Sequence, residues 1–233
     1  MKTKLVTLAL GLALALPLAA HADSWGAGSD PNSLRIGLYY VHYDANTTGL
    51  SGPYVPPGLN VDVNDLVTLY AAYVRSISSH VDVELAFGWP PVTKSVGKGP
   101  ATLGSVPYNG QVISTARWLA PTLLVEYELF GPQHRFRPYI GIGVNYTQFY
   151  DRQSTAAGNA ASGGPTSISL PASVGPAATL GLGYRLTDHW HLYASYSVAR
   201  VNSRLTADTA GVIRTTEIHF WPNAIVVSAG YSF

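Results

Sequence analysis

His80, Asp82 and Glu84 stand two residues apart in the run His80-Val-Asp-Val-Glu-Leu-Ala-Phe-Gly-Trp89. On an extended chain this spacing sets all three on one face, where they could gather a metal ion or pass a proton between imidazole and carboxylate. Two other acid–histidine pairs, His42 with Asp44 and His219 with Glu217, could each supply a base and its orienting group. With a serine beside one of them they would suit a lipid-modifying hydrolase, but no nucleophile motif accompanies either pair. The chain has no cysteine, which removes thiolate metal sites and thiol nucleophiles. Gly141-x-Gly143 and Gly181-x-Gly183 lack the third glycine and the following helical pattern of a dinucleotide loop. A different use fits the acids better. Glu84, Glu126 and Glu128 share inward faces with basic residues, Arg35 and Arg185, and buried charges must pair. They read as an ion-pair plug, with Arg35, Glu84, Glu126 and Arg185 as its members and no metal or cofactor required.

The elements that would position these residues are strands. From Arg137 to Tyr150 the chain alternates with period two. Pro138, Ile140, Ile142, Val144 and Tyr146 occupy one face, and Tyr139, Gly141, Gly143, Asn145 and Thr147 the other. In a soluble sheet the face away from the core carries charges; here one face is aliphatic and the other small, aromatic or neutral polar. A transmembrane strand of about 9 to 11 residues has this character. Composition agrees: only 12% of residues are charged, about half the usual share, while Gly (23) and Tyr (15) are plentiful. No run past the N-terminus approaches the ~18 apolar residues of a membrane helix. No basic patch suggests nucleic acid.

Met1 to Ala22 has Lys2 and Lys4, the apolar run Leu5 to Leu18, and Ala20-His21-Ala22 as a cleavage site, the pattern of a secretory signal peptide. The mature chain, 23–233, reads as one domain. Its strands are expected near 34–41, 63–73, 81–89, 121–130, 137–150, 176–186, 190–198 and 224–233. Short turns alternate with four long loops, near 44–60, 90–115, 151–171 and 202–216, the third of them without a pattern. Pro176 and Pro222 read as strand starts, though a missing N–H there could open the wall. The fold expected is all-β: an eight-stranded antiparallel transmembrane β-barrel with short periplasmic turns and extracellular loops, since only closure removes unpaired edges from lipid.

The segment Arg135-Phe-Arg-Pro-Tyr-Ile-Gly-Ile-Gly-Val-Asn-Tyr-Thr147, preceded by Pro121-Thr122-Leu123 and ended by Ser228-Ala-Gly-Tyr-Ser-Phe233, resembles the OmpW/AlkL outer-membrane proteins. Ser232 departs from the basic residue usual in that ending. The resemblance implies a bacterial outer-membrane channel for passive uptake of small hydrophobic molecules through a narrow apolar pocket, with lateral release into the bilayer and no enzymatic step. It places Tyr39, Tyr70, Ala86, Leu124, Tyr139 and Tyr193 on the channel wall. It implies outer-membrane lipids and lipopolysaccharide as surroundings, small hydrophobic solutes as cargo, and barrel-assembly machinery as a partner through Phe233. Leu50, Tyr54, Val55 and Leu59, apolar residues among prolines and glycines, either line the mouth or pack on one another. The alternatives are a lipopolysaccharide deacylase and a structural barrel without a channel.

Overall fold

A sheet whose outward row is aliphatic can bury its small and polar inward row by curling on itself. The computed structural model describes residues 30–47, 49–103 and 106–233; the proposed leader lies outside them. Eight strands form the ring: β1 (Asn32–Thr47), β2 (Leu66–Ser76), β3 (Val81–Gly88), β4 (Thr122–Glu128), β5 (Phe136–Ser154), β6 (Ser173–Arg185), β7 (Trp190–Ala199) and β8 (Val212–Ser232). Each pairs antiparallel with the next, and β8 returns to β1 from Ser33↔Ser232 to Thr47↔Ile218, so the barrel is closed.

The alternation fixes the register of every strand, because a slip of one residue would turn the aliphatic row inward. Outward Ile36, Val67, Ile142 and Val227 are 59–74% exposed, while inward Ala72, Tyr139 and Val226 are 2–5% exposed. Exposed Tyr40, Trp89, Tyr146, Tyr196 and Trp221 stand toward the long-loop end, and Tyr127, Phe136, Tyr184, Trp190 and Tyr231 toward the short turns. An apolar band between two aromatic girdles is the outer surface of a barrel in lipid.

The stretches expected to be long loops carry strand and helix structure instead. Val201–Thr209 pairs with the first half of β8, and Val92–Lys98 pairs with Val112–Leu119, so hairpins continue above the rim. Asn60–Val63 adds to Val92–Lys98, and Ser167–Ser169 adds to Val201–Thr209. Between β5 and β6 a short helix, α1 (Ala156–Ser162), is capped by Thr155, whose Oγ1 accepts from the Gly158 N–H at 3.1 Å. These extensions pack on one another at the long-loop end through an apolar cluster of Val63, Leu170, Val201, Leu205 and Ile218.

Neither Pro176 nor Pro222 starts a strand. Pro176 lies within β6 opposite Val144, and Pro222 lies within β8 opposite Tyr43. Across from Pro222 the register resumes unshifted, from Val198↔Asn223 to Val201↔Phe220. The break in the wall is elsewhere. Between β3 and β4 the ladder stops at Ala86↔Thr122 and resumes, shifted by one, at Val92↔Arg117. The intervening residues, 87–91 on one side and 118–121 on the other, include Pro90, Pro91 and Pro121, three positions that offer no N–H.

Candidate ligand cavity and its floor

Inside the long-loop half lies a partly open cavity of about 120 Å³. Its lower wall is Tyr39, Tyr70, Ala86, Leu124 and Val226 from the barrel strands; its upper wall is Tyr43, Val63, Trp118, Phe149, Leu170, Val201, Leu205 and Ile218. The polar groups that reach it are largely bonded to one another. Thr147 Oγ1 donates to Asn145 Oδ1 at 2.7 Å, and Asn145 Nδ2 donates to Thr122 Oγ1 at 2.8 Å. The lining crosses the interrupted ladder, with Phe87 and Gly88 on one side and Ala120 and Thr122 on the other.

The floor is charged. Arg35 Nη1 donates to Glu84 Oε2 at 2.5 Å and to Glu126 Oε2 at 3.3 Å, and Tyr70 Oη donates to Glu84 Oε1 at 2.8 Å. Arg35, Glu84 and Glu126 are 2–4% exposed. The guanidinium also lies 3.9 Å from the Tyr193 ring centre and 5.5 Å from that of Tyr139, within range of the ring quadrupole. Gly181 makes room for this layer: a Cβ there would meet the Tyr139 ring at 2.2 Å. Beneath the floor a second, polar cavity of about 50 Å³ opens toward the short turns, lined by Arg35, Asp82, Arg137, Arg185 and His191.

Of the six proposed wall residues, then, Tyr39, Tyr70, Ala86 and Leu124 line the cavity, while Tyr139 and Tyr193 flank Arg35 on the short-turn side. The proposed mouth residues do not line it: Tyr54 is 87% exposed, Leu59 is buried, and neither they nor Leu50 and Val55 are among the lining residues. The expected pairing of Arg185 with the carboxylates is not made. Its guanidinium donates to the Pro132 and Gln133 carbonyls, each at 3.1 Å, in the turn before β5. Glu128 is held instead by Arg137, whose Nε donates at 2.7 Å. Arg137 was legible as this partner, since it precedes Tyr139 by two and so shares its inward face.

His80, Asp82 and Glu84 do not converge. Asp82 and Glu84 point inward, but the His80 ring stacks on outward Tyr127 with centres 5.8 Å apart. Among the described residues no group of three His, Asp or Glu side chains could hold a metal ion. His42 turns to Asp65, whose oxygens lie 2.9 Å from Nδ1, and the Asp44 side chain is outside those described. His219 Nδ1 lies 3.1 Å from Asn202 Oδ1, with Glu217 3.8 Å from its other ring nitrogen. Both pairs are on the exposed outer side.

The OmpW family model matches residues 33–233. The chain belongs to the OmpW family. Outer membrane protein W of Vibrio cholerae is 31% identical over 143 residues, covering 61% of this chain and 63% of that protein. This chain therefore spans less than two thirds of the Vibrio protein's length. A dibenzothiophene metabolism operon protein, PahQ of Pseudomonas aeruginosa, is 33% identical over 147 residues, covering 60% and 63%. The crystal structure of the outer membrane protein OprG from Pseudomonas aeruginosa superposes with a TM-score of 0.79, at 22% identity, over 89% of this chain and 98% of that one. As an OmpW-family barrel the protein sits in the bacterial outer membrane in contact with its lipids, short turns toward the periplasm and hairpins outside.

Proposed function

We propose that this barrel is a passive conduit through which small hydrophobic molecules enter from outside, bind in the apolar cavity and leave sideways into the bilayer. The carrying observation is one arrangement: an apolar cavity in the extracellular half, floored by Arg35, Glu84 and Glu126. A solute moving straight through would have to displace a buried ion cluster, which costs several kcal/mol, on the order of the penalty for uncovering a buried charge. The interrupted ladder between β3 and β4 offers a cheaper way out. Three prolines leave fewer backbone bonds to break there, and the cavity already reaches both sides of the interruption. A molecule that prefers lipid to water is drawn outward by the same apolar transfer that brought it in.

The name of PahQ points to a relative whose operon handles an apolar aromatic compound, which supports the same solute class here. No covalent step is needed, and the cavity distinguishes this reading from a purely structural barrel. Phe233, exposed at the periplasmic end, is the position we assign to the assembly machinery. The test is entry of naphthalene into cells that make or lack the barrel, beneath an intact lipopolysaccharide leaflet. Faster entry with the barrel is expected; equal entry would sink the conduit.

A further inference from the structure

At the extracellular rim most arginines have an acceptor. Arg204 pairs with Glu217 and Arg117 with Asp151, while Arg152 and Arg214 donate to the Leu170 and Pro53 carbonyls. Arg200 differs. It is exposed, and among the described residues its guanidinium meets neither a carboxylate nor a hydrogen-bond acceptor. Its place is nonetheless fixed. The Arg200 N–H donates to the Pro176 carbonyl at 3.0 Å, and Gly175 lets the two chains come this close, since a Cβ there would meet the Arg200 carbonyl oxygen at 1.9 Å. From this point the side chain leans over Trp221, with the guanidinium 5.8 Å from the ring centre. Trp221 belongs to the outer aromatic girdle, so the cation stands where acyl chains end and headgroups begin.

The five N–H groups of a guanidinium form a planar fork that matches phosphate, and an indole against one face leaves the edges free to donate. Asn202, two residues on and exposed on the same face, adds an amide donor. The acid in this row, Glu217, is already taken by Arg204. One layer below the cation, Leu180, Tyr196 and Ile225 stand side by side on β6, β7 and β8, all facing lipid. A charged fork above an apolar strip fits an anionic lipid better than a free anion, because the acyl chains and the headgroup are both met. On the outward-facing leaflet that lipid is lipopolysaccharide, whose lipid A carries phosphate at headgroup height. We propose that Arg200, seated on Trp221, binds a phosphate of lipid A on the outer wall of the barrel, with acyl chains lying over Leu180 and Ile225. The site is outside the lumen and does not depend on the conduit reading.

The test titrates the full barrel, folded in detergent, with three lipids: diphosphoryl lipid A, the same lipid A stripped of phosphate, and phosphatidylglycerol. Bound lipid is counted by native mass spectrometry. Diphosphoryl lipid A is expected to be held roughly 5-fold more tightly than the stripped form, the contribution of one arginine at an anionic membrane surface. In R200Q that ratio is expected to fall toward one. In K94Q, which removes an exposed cation elsewhere on the rim, it is expected to stay. A second readout is local. In the ¹⁵N-labelled protein the Trp221 indole N–H resonance, assigned by its loss in W221F, is expected to move with diphosphoryl lipid A and not with the stripped form. A phosphate preference that R200Q leaves intact, or that K94Q removes equally, overturns the site. So does phosphatidylglycerol held as tightly as diphosphoryl lipid A, since the fork would then read any anionic headgroup. Should R200Q fail to fold, the Trp221 signal of the unaltered barrel decides, and its indifference to the phosphates overturns the proposal.

Discussion

The two halves of the lumen are built from the same alternating strands, yet one is a cavity and the other a plug. In the extracellular half the inward positions are Tyr70, Ala86, Leu124 and Val226, joined from above by Val201, Leu205 and Ile218. In the periplasmic half they are Arg35, Asp82, Glu84, Glu126, Glu128 and Arg137, with Tyr139 and Tyr193 against the guanidinium. An eight-stranded barrel is only wide enough for side chains or one small ligand. Size therefore does not separate the halves; chemistry does. Where inward side chains are small or apolar and their polar atoms satisfied, the space is free for an apolar guest. Where they are charged they must fill the space with one another.

The contrast breaks most visibly at Arg35. Replacing it with methionine removes the cation shared by Glu84 and Glu126 and leaves two carboxylates buried, so a loss of about 3–5 kcal/mol is expected. Urea unfolding in lipid vesicles measures it. The exposed pair Arg204–Glu217, on the outer face of the β8 hairpin, is the control: R204A should cost about 1 kcal/mol or less. A small effect at Arg35 would mean the floor is hydrated and is not the barrier described.

The cavity half should respond in transport rather than stability. Ala86→Trp puts a large ring into the space between Tyr70 and Leu124, and naphthalene entry is expected to fall to the level of cells lacking the barrel. The exit can be tested with a staple, since the chain has no cysteine of its own. Gly88→Cys with Ala120→Cys places thiols on the two sides of the interruption. Oxidation is expected to slow entry and reduction to restore it. Entry that ignores the staple would move the exit away from β3 and β4.

How much of this was legible follows from which interactions are local. Face and register were readable in every barrel strand, because lipid on one side makes alternation unambiguous: Ile140, Ile142 and Val144 outward, Tyr139 and Gly141 inward. The hairpins above the rim were missed, although Val201, Ser203 and Leu205 alternate with Asn202 and Arg204. That period was hidden because both faces carry polar residues, and the inward row is defined only by packing on Val63 and Leu170 from distant segments. Arg185 was expected among the partners of the inward carboxylates, and Arg137 was missed, for a related reason. Sequence gives the face of an arginine but not its height, and Arg185 lies at the turn, where the Pro132 and Gln133 carbonyls are nearer.

The smallest expected effect concerns the clasp that ties the start of β2 to β1 outside the membrane. Asp65 accepts from Tyr40 Oη at 2.7 Å and from the Tyr43 N–H at 3.2 Å, with the His42 ring 2.9 Å away. The His42 and Tyr40 hydrogen bonds hold the carboxyl below its ordinary range, and partial burial only weakly opposes them. A carboxyl whose folded value is depressed adds stability above its unfolded value, near 3.9, and that stability is lost as pH falls through the lower folded value. Unfolding in lipid should therefore grow easier as pH drops below about 4, and D65N should flatten this part of the profile. The group is over one-third solvent-exposed, so screening keeps the change small beside that at Arg35. An unchanged acid slope in D65N would mean that this clasp does not carry the acid sensitivity of the fold.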